Sequence, residues 1–236
     1  MSDTQQQNDG APDQKSSTKP RKPVKAKVLA SPIEINPELK GTVGENVVVS
    51  YTRMNPPTIG HGKLVNKVNV LAEKLNCKPM IFLSQKHDSN KNPLRFDEKL
   101  KYAKLAFGDV IQENTYDDFF GMMRNLSGKY KNIHVVVGED RYEEMLNKFN
   151  KYNGVEFVYE NITVYSAGVR DPDAAGVEGS SATRMREYAI NEDYAIFRLG
   201  IPDNIQHLSD EIAHAIRIGS GLEINLAQRM FRALRN

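Results

Sequence analysis

The central part of the chain alternates short apolar runs with amphipathic segments. "NVVVSY", which begins at Asn46, is rich in β-branched residues and predicts a buried strand. In the segment that follows, apolar residues recur three and four positions apart, which predicts a helix from about His61. Its apolar positions are Leu64, Val65, Val68, Leu71, Ala72 and Leu75. A strand followed by such a helix is the repeating unit of α/β folds.

Three further apolar runs predict strands, and helical patterns separate them. The strands are "PMIFLS" from Pro79, "NIHVVVG" from Asn132 and "NITVYSA" from Asn161. The helical patterns are "DEKLKYAKLAF", "DDFFGMMRNL", "RYEEMLNKF" and "SSATRMREYAI". Repeated strand and helix units predict an α/β fold, a Rossmann-like doubly wound parallel sheet that binds its ligands at the carboxyl ends of the strands.

The two ends of the chain differ from this central part. Residues 1–27 are polar and contain almost nothing to bury, so they are predicted to be a disordered tail. Its basic end, "KPRKPVKAK", is typical of a solvated linker, with a tether to nucleic acid or an acidic protein as the alternative. Residues 28–45 are predicted to be an arm or linker, 46–202 the main domain, and 203–236 a small C-terminal helical extension.

Charge and cysteine content exclude several classes of protein. The net charge of only +2 argues against a nucleic-acid partner, because such binding needs a concentrated basic surface. Cys77 is the only cysteine, which excludes an intrachain disulfide and a thiolate zinc cluster. Since no apolar run approaches the roughly 20 residues that span a bilayer, and no signal peptide is evident, we expect a cytoplasmic protein without a membrane partner.

The joint between the first strand and its helix, "TRMNPPTIGHGK", carries side chains suited to phosphate. A helix N-terminus favours an anion, and Thr58 and His61 supply donors there. Gly60 lets a nucleotide approach the backbone, and Arg53 adds a planar guanidinium fork. Taken singly, His61 or Thr58 would be explained by helix capping and Arg53 by surface charge. Their combination at one joint favours a phosphate site.

Two sequence motifs resemble a known superfamily. "TRMNPPTIGH" resembles the first signature of the nucleotidyltransferase superfamily with the (H/T)xGH motif, and Arg53 stands where the nicotinamide-mononucleotide adenylyltransferase branch also has arginine. "SSATRMR", residues 180–186, resembles the second signature, Ser-x-Thr-x-x-Arg, which lies opposite the first across the triphosphate. "KNPLRFDEK" and "VVVGEDR" resemble further segments of the superfamily. The amino-acid sequence of residues 47–202 as a whole is most similar to cytidylyltransferase-like proteins of tailed bacteriophages.

The resemblance implies a nucleotidyltransferase domain over 46–202 that moves a nucleoside monophosphate from a nucleoside triphosphate to a small phosphorylated acceptor and releases pyrophosphate. Mg²⁺ would accompany the triphosphate, held chiefly by substrate and water, with no dedicated protein metal ligands. The implied catalytic residues are Thr58, His61 and Arg186. The implied nucleotide-binding residues are Arg53, Asn55, Gly60, Lys63, Gly138, Asp140, Ser181 and Thr183. For Asp140, capping of the following helix is an equal alternative.

The identity of the acceptor and the nucleobase of the triphosphate remain open at this point. The first hypothesis is transfer of AMP from ATP to nicotinamide mononucleotide, a step of NAD biosynthesis. Cytidylyl transfer to a sugar phosphate or an alcohol phosphate is the enzymatic alternative. A phage virion or assembly protein that reuses the fold without catalysis is the alternative from another class, and oligomerisation is left open.

Deletion of residues 1–27 is expected to leave the melting temperature and the nucleotide affinity nearly unchanged, because a segment without apolar content adds little to a core. Thermal unfolding and calorimetric titration of the truncated and full chains measure both quantities. A large fall in melting temperature would show that the segment packs against the domain.

Overall fold

The structure is a computed structural model, and it describes residues 45–113, 115–168 and 181–223. The predicted tail, all but the last residue of the predicted arm, and residues 224–236 of the predicted C-terminal helical extension lie outside these ranges. None of the helices within them is long and apolar enough to cross a membrane.

The described residues form four strands and seven α-helices. The strands are β1 (Asn46–Thr52), β2 (Lys78–Leu83), β3 (Asn132–Val137) and β4 (Asn161–Ser166). The helices are α1 (Ile59–Lys74), α2 (Phe96–Phe107), α3 (Phe119–Leu126), α4 (Tyr142–Tyr152), α5 (Ala182–Ile190), α6 (Tyr194–Leu199) and α7 (Ser209–Gly219). Every predicted strand is present, and α1 begins two residues before the predicted start at His61.

All four strands are parallel and lie in the order β2-β1-β3-β4. The chain moves from β1 outward to β2, and then from β3 outward to β4 on the opposite side of the sheet. The strand order therefore reverses between β1 and β3. This topology is the predicted Rossmann-like doubly wound α/β fold, which is confirmed.

Helices cover both faces of the sheet because successive side chains of a strand point to opposite faces. Val47 and Val49 of β1 pack in one core with residues of α3 and α4. Val48 packs in a second core with residues of α1 and α2. A third core joins α5, α6 and α7 to Leu94 and Tyr102. The C-terminal helices are therefore packed against α2 and the segment that precedes it.

An asparagine ladder crosses three strands at their amino ends. Asn46, Asn132 and Asn161 are register partners on β1, β3 and β4. The Asn132 side chain donates to Asn46 Oδ1 at 2.8 Å, and the Asn161 side chain donates to Asn132 Oδ1 at 2.7 Å. Because a shift of one residue would break both hydrogen bonds, the ladder specifies the register of the central strands.

The opposite edge of the sheet opens between β1 and β3. Their pairing ends at Val49 and Val135, before either strand ends. In contrast, β1 pairs with β2 up to Thr52, and β3 pairs with β4 up to Val137. Beyond the last β1–β3 pair, the Ser50 hydroxyl donates to the Val136 carbonyl at 2.8 Å. The opening lies at the topological switch point, where doubly wound sheets bind their ligands.

His134 lies in the middle of β3 and is fully buried. Its Nδ1 lies 3.3 Å from the hydroxyl of Tyr165, and its Nε2 has no hydrogen-bond partner among the described residues. Burial lowers the pKa of His134 to about 4, from an ordinary value of 6.5. The imidazole is therefore neutral in the folded protein at neutral pH, as expected for a structural histidine.

The buried His134 is expected to make the folded protein sensitive to acid. Below pH 6.5 the unfolded chain binds a proton that the folded protein does not, so the free energy of unfolding falls as the pH approaches 4. The loss should reach about 3 kcal/mol by pH 4 in the wild type. His134→Leu should lack this component, and urea unfolding of both proteins at pH 7 and pH 4 measures the difference. Identical pH dependence in the two proteins would contradict the prediction.

Candidate functional site

The segment that links β1 to α1 lies at the opening between β1 and β3. Met54 is fully buried in the core beneath α1, and its φ of 42° lies in the left-handed region. A non-glycine residue rarely adopts this conformation. Burial of the Met54 side chain holds the segment in it. Pro56 and Pro57 are also buried. The segment is thus anchored to the core on both sides of Asn55.

Thr58 precedes the first residue of α1, and its contacts orient His61. The Thr58 N–H donates to His61 Nδ1 at 3.1 Å, and the Thr58 hydroxyl lies 2.9 Å from the same nitrogen. Because Nδ1 accepts a backbone N–H, we assign the proton of the neutral imidazole to Nε2. Thr58 is fully buried, and its contacts orient His61, while its predicted phosphate contact stays a prediction.

Arg186 of α5 brings the second motif to the first. Its Nη1 donates to the carbonyl of Asn55 at 2.7 Å, and its Nη2 donates to the hydroxyl of Thr183 at 3.1 Å. The side chain is largely buried. Both acceptors are uncharged, and within the described ranges Arg186 forms no ion pair. A buried guanidinium therefore lies at the contact between the two motif segments without a neutralising carboxylate.

The side chain of Asn55 holds the segment that precedes α2. Its Nδ2 donates to the Leu94 carbonyl at 2.9 Å, and its Oδ1 accepts from the Leu94 N–H at 3.1 Å. Asn55 is fully buried, so its side chain is committed to Leu94. Each polar atom of the side chain thus makes one structural hydrogen bond, and the predicted contact of Asn55 with the nucleotide stays a prediction.

Three cationic side chains from three segments are linked by electrostatic repulsion. Arg53 is exposed at the end of β1, and it contributes to lowering the pKa of both Lys99 and Arg186. Burial is the larger cause in each case, and burial together with the charge of Arg53 lowers the pKa of Lys99 to about 8. For Arg186, the negative charges of Asp88 and Glu187 act in the opposite direction. The net effect is a positive potential that favours an anion.

The sequence interpretation missed Lys99. The residue is fully buried in the first turns of α2, with Nζ 3.4 Å from the Lys86 carbonyl and 5.9 Å from the centre of the Phe96 ring. It lies three residues after Phe96 and four before Ala103, on the apolar face of the helix. A lysine at an apolar helical position is a signal that could have identified it.

The other predicted residues of the second motif lie at the start of α5. Ser181 caps this helix, and its Oγ accepts from the Arg184 N–H at 3.2 Å. That contact leaves the hydroxyl proton available for a ligand. Thr183 is exposed and accepts the hydrogen bond from Arg186. Both hydroxyls are thus on the segment that Arg186 joins to Asn55.

The remaining predicted residues lie on α1 and after β3. Gly60 is the second residue of α1, and Lys63 is exposed on the same helix. Gly138 and Asp140 follow β3, at the far side of the opening from Arg53. The exposed Asp140 folds back over Gly138, because a Cβ added to Gly138 would lie 2.6 Å from Asp140 Oδ1. A larger residue at Gly138 would displace this carboxylate.

The C-terminal helices and the residues between them contact the segments that carry the site. The N–H of Ile59, the first residue of α1, donates to the Gly200 carbonyl at 3.0 Å. Gly219 at the end of α7 approaches Pro93 so closely that an added Cβ would lie 2.0 Å from the Pro93 carbonyl oxygen. Pro93 is adjacent to Leu94, which Asn55 holds. These helices therefore form part of the framework of the candidate site.

No group of three or more His, Cys, Asp and Glu side chains that could hold a metal ion occurs in the part of the chain that the structure describes. The donor set around Arg53 and Arg186 is cationic, which suits an anion better than a free metal ion.

No protein-family model and no curated protein matches this chain. Among solved structures, the chain is similar to the crystal structure of Thermotoga maritima TmcAL (apo, form I), with 13% sequence identity and a TM-score of 0.45. The match covers 75% of this chain and 57% of the TmcAL chain. This chain thus spans little more than half the length of TmcAL, and a similarity at this level carries no argument about activity.

Asn55→Ala is expected to lower the free energy of unfolding by about 2–4 kcal/mol, because it leaves the buried N–H and carbonyl of Leu94 without their partners. Asn66→Ala, a substitution at an exposed position of α1, serves as the matched control and should change stability by less than about 0.5 kcal/mol. Chemical denaturation of the three proteins measures both values. Equal stability of Asn55→Ala and wild type would show that the two hydrogen bonds are not needed.

Proposed function

We propose that the protein is a nucleotidyltransferase that moves a nucleoside monophosphate from a nucleoside triphosphate to a small phosphorylated acceptor. The observation that carries this proposal is the 2.7 Å hydrogen bond from Arg186 to the Asn55 carbonyl. It joins the two motif segments beside the opening between β1 and β3. Transfer of AMP from ATP to nicotinamide mononucleotide remains the first hypothesis for the reactants.

In this reaction, an oxygen of the acceptor phosphate attacks the α-phosphorus of the triphosphate. The bond between the α-phosphorus and the bridging oxygen breaks, and pyrophosphate leaves with that oxygen. No covalent intermediate with the protein is required. The protein contributes by positioning two anionic reactants and by stabilising the charge that develops on the α-phosphate and the leaving group.

His61 and the two arginines supply the main stabilising donors. The Nε2–H of His61 would donate to the transferring α-phosphate, with Thr58 fixing the orientation of the ring. Arg53 and Arg186 would bind the β- and γ-phosphates, because guanidinium groups match phosphate oxygens in geometry and charge. The absence of an ion pair to Arg186 among the described residues supports this role, since a bound phosphate would compensate its charge.

The remaining donors would complete the binding of the triphosphate. The hydroxyls of Ser181 and Thr183 at the start of α5 would donate to phosphate oxygens, and Lys63 would steady the leaving pyrophosphate. Gly60 at the start of α1 would permit close approach of a phosphate to the backbone. Mg²⁺ would be held by triphosphate oxygens and water, and it would help neutralise the developing charge. Asp140 would contact the ribose or a metal-bound water.

A pyrophosphate-release assay tests the proposal directly. The protein is incubated with Mg²⁺ and either ATP or CTP, together with nicotinamide mononucleotide, a sugar phosphate or an alcohol phosphate. We expect pyrophosphate release that requires both a triphosphate and one acceptor, with ATP and nicotinamide mononucleotide as the preferred pair. A preference for CTP would favour the cytidylyltransferase alternative. Nucleotide binding without turnover on any acceptor would favour the non-catalytic alternative and contradict the proposal.

Two substitutions of His61 separate its structural contact from its catalytic one. His61→Asn retains an acceptor near the position of Nδ1 for the Thr58 N–H, but it removes the Nε2–H donor. We expect it to lower kcat by roughly 10² or more, the effect of losing one donor to transition-state charge, with little change in melting temperature. His61→Ala should lower kcat by a similar factor and also lose the contact with Thr58. Unchanged turnover in correctly folded His61→Asn would remove His61 from the catalytic assignment.

A further inference from the structure

Lys99 is a buried ammonium group with few contacts to compensate its charge. Its side chain is fully buried, and the Lys86 carbonyl at 3.4 Å is its one hydrogen-bond acceptor among the described residues. The Phe96 ring, 5.9 Å from Nζ, adds a weak cation–π contact. No carboxylate within the described ranges forms an ion pair with it. A buried charge in such surroundings destabilises the folded protein.

The charged groups in the segments around Lys99 are of both signs. Arg53, directly after β1, repels it, and Arg53 also repels Arg186 of α5. The loop after β2 carries His87 and Asp88. On α2 itself, Asp97 and Glu98 lie in the first turn, where Arg95 engages both. The carboxylates nearest in sequence are thus already paired, and repulsion from Arg53 is left uncompensated.

We propose that Lys99 strengthens the binding of phosphate-bearing ligands through its buried charge, without touching them, and that the protein takes up a proton on Lys99 when such a ligand binds at alkaline pH. This inference rests on the proposed function, because it assumes that the phosphate chain binds at Arg53 and Arg186. Lys99 would therefore act on the ligand through its charge and not through a contact. The affinity for substrate would then depend on pH.

The physical basis is the low dielectric environment of the amine. A charge buried in the protein interior is poorly screened by water, so it acts on an anion several ångströms away more strongly than an exposed lysine would. With the pKa of Lys99 near 8 in the free protein, the amine loses its proton as the pH rises above that value. An anion bound nearby would favour the protonated form, and by linkage the protonated form would bind the anion more tightly.

Calorimetric titration with ATP at pH 7.5 and pH 9.5 tests the inference. The phosphates of ATP suit this range, because a phosphate monoester loses its second proton near pH 6, well below it. We expect wild type to bind ATP about 5- to 10-fold more weakly at pH 9.5, the effect of a pKa difference of up to about one unit between the free and bound protein. Titrations in two buffers with different ionisation enthalpies should show proton uptake near pH 8.5, and this measurement needs no variant.

Lys99→Met keeps the length and apolar body of the side chain but removes the charge. It should bind ATP about 5- to 10-fold more weakly than wild type at pH 7.5, with no further loss at pH 9.5 and no proton uptake. Lys101→Met on the same helix is the matched control, because Lys101 is exposed and pairs with Glu211. It carries the same change in net charge and should retain the affinity and the pH dependence of wild type.

Unfolding without ligand separates this role from a structural one. Lys99→Met should raise the melting temperature at pH 7.5, because it removes an uncompensated buried charge, whereas loss of a structural contact would lower it. Wild-type ATP affinity that is independent of pH, or equal affinities of wild type and Lys99→Met, would overturn the inference and leave the proposed function intact. Failure of wild type to bind ATP at either pH would overturn both.

Discussion

The buried amide of Asn55 ties together the segments on which the candidate site depends. Its side chain holds the backbone of Leu94 through two hydrogen bonds, and its carbonyl accepts from Arg186. Met54 on one side and the buried prolines on the other leave this residue little freedom. The loop after β1, the segment before α2 and the start of α5 are therefore held in fixed relation by one residue that is itself inaccessible to a ligand.

Around this joint, two buried positive charges form no ion pair with a carboxylate of the described residues, although Asp88 and Glu187 act on Arg186. Arg186 and Lys99 are buried, and exposed Arg53 adds repulsion to both. Such an arrangement costs folding free energy, because desolvated charges are compensated neither by water nor by a counter-ion. A bound polyphosphate would supply the missing negative charge. The electrostatics and the opening between β1 and β3 thus both support the proposal of a phosphate-bearing ligand.

Much of the architecture could be predicted from local sequence patterns. The short apolar runs identified all four strands, because each strand of this sheet is buried on both faces and carries little polar interruption. The spacing of Leu64, Val68 and Leu71 identified α1, since helical periodicity depends only on residues within a few turns. The motif residues Thr58, His61 and Arg186 could be located for the same reason, as each lies in a short segment with a recognisable order of residues.

The roles of individual side chains depended on contacts between distant parts of the chain. The sequence determined which segments form strands and helices, and it identified the short motifs on which the proposed phosphate site rests. Only the tertiary structure decided that Asn55 is a buried joint, that Thr58 contacts His61, and that Lys99 is buried and repelled by Arg53. The hydrogen bond from Arg186 to Asn55 joins residues 131 positions apart, and the bonds from Asn55 to Leu94 join residues 39 apart. Such pairs meet because of the strand order β2-β1-β3-β4, which places the ends of separate crossovers at one edge, and no local pattern of residues encodes that proximity.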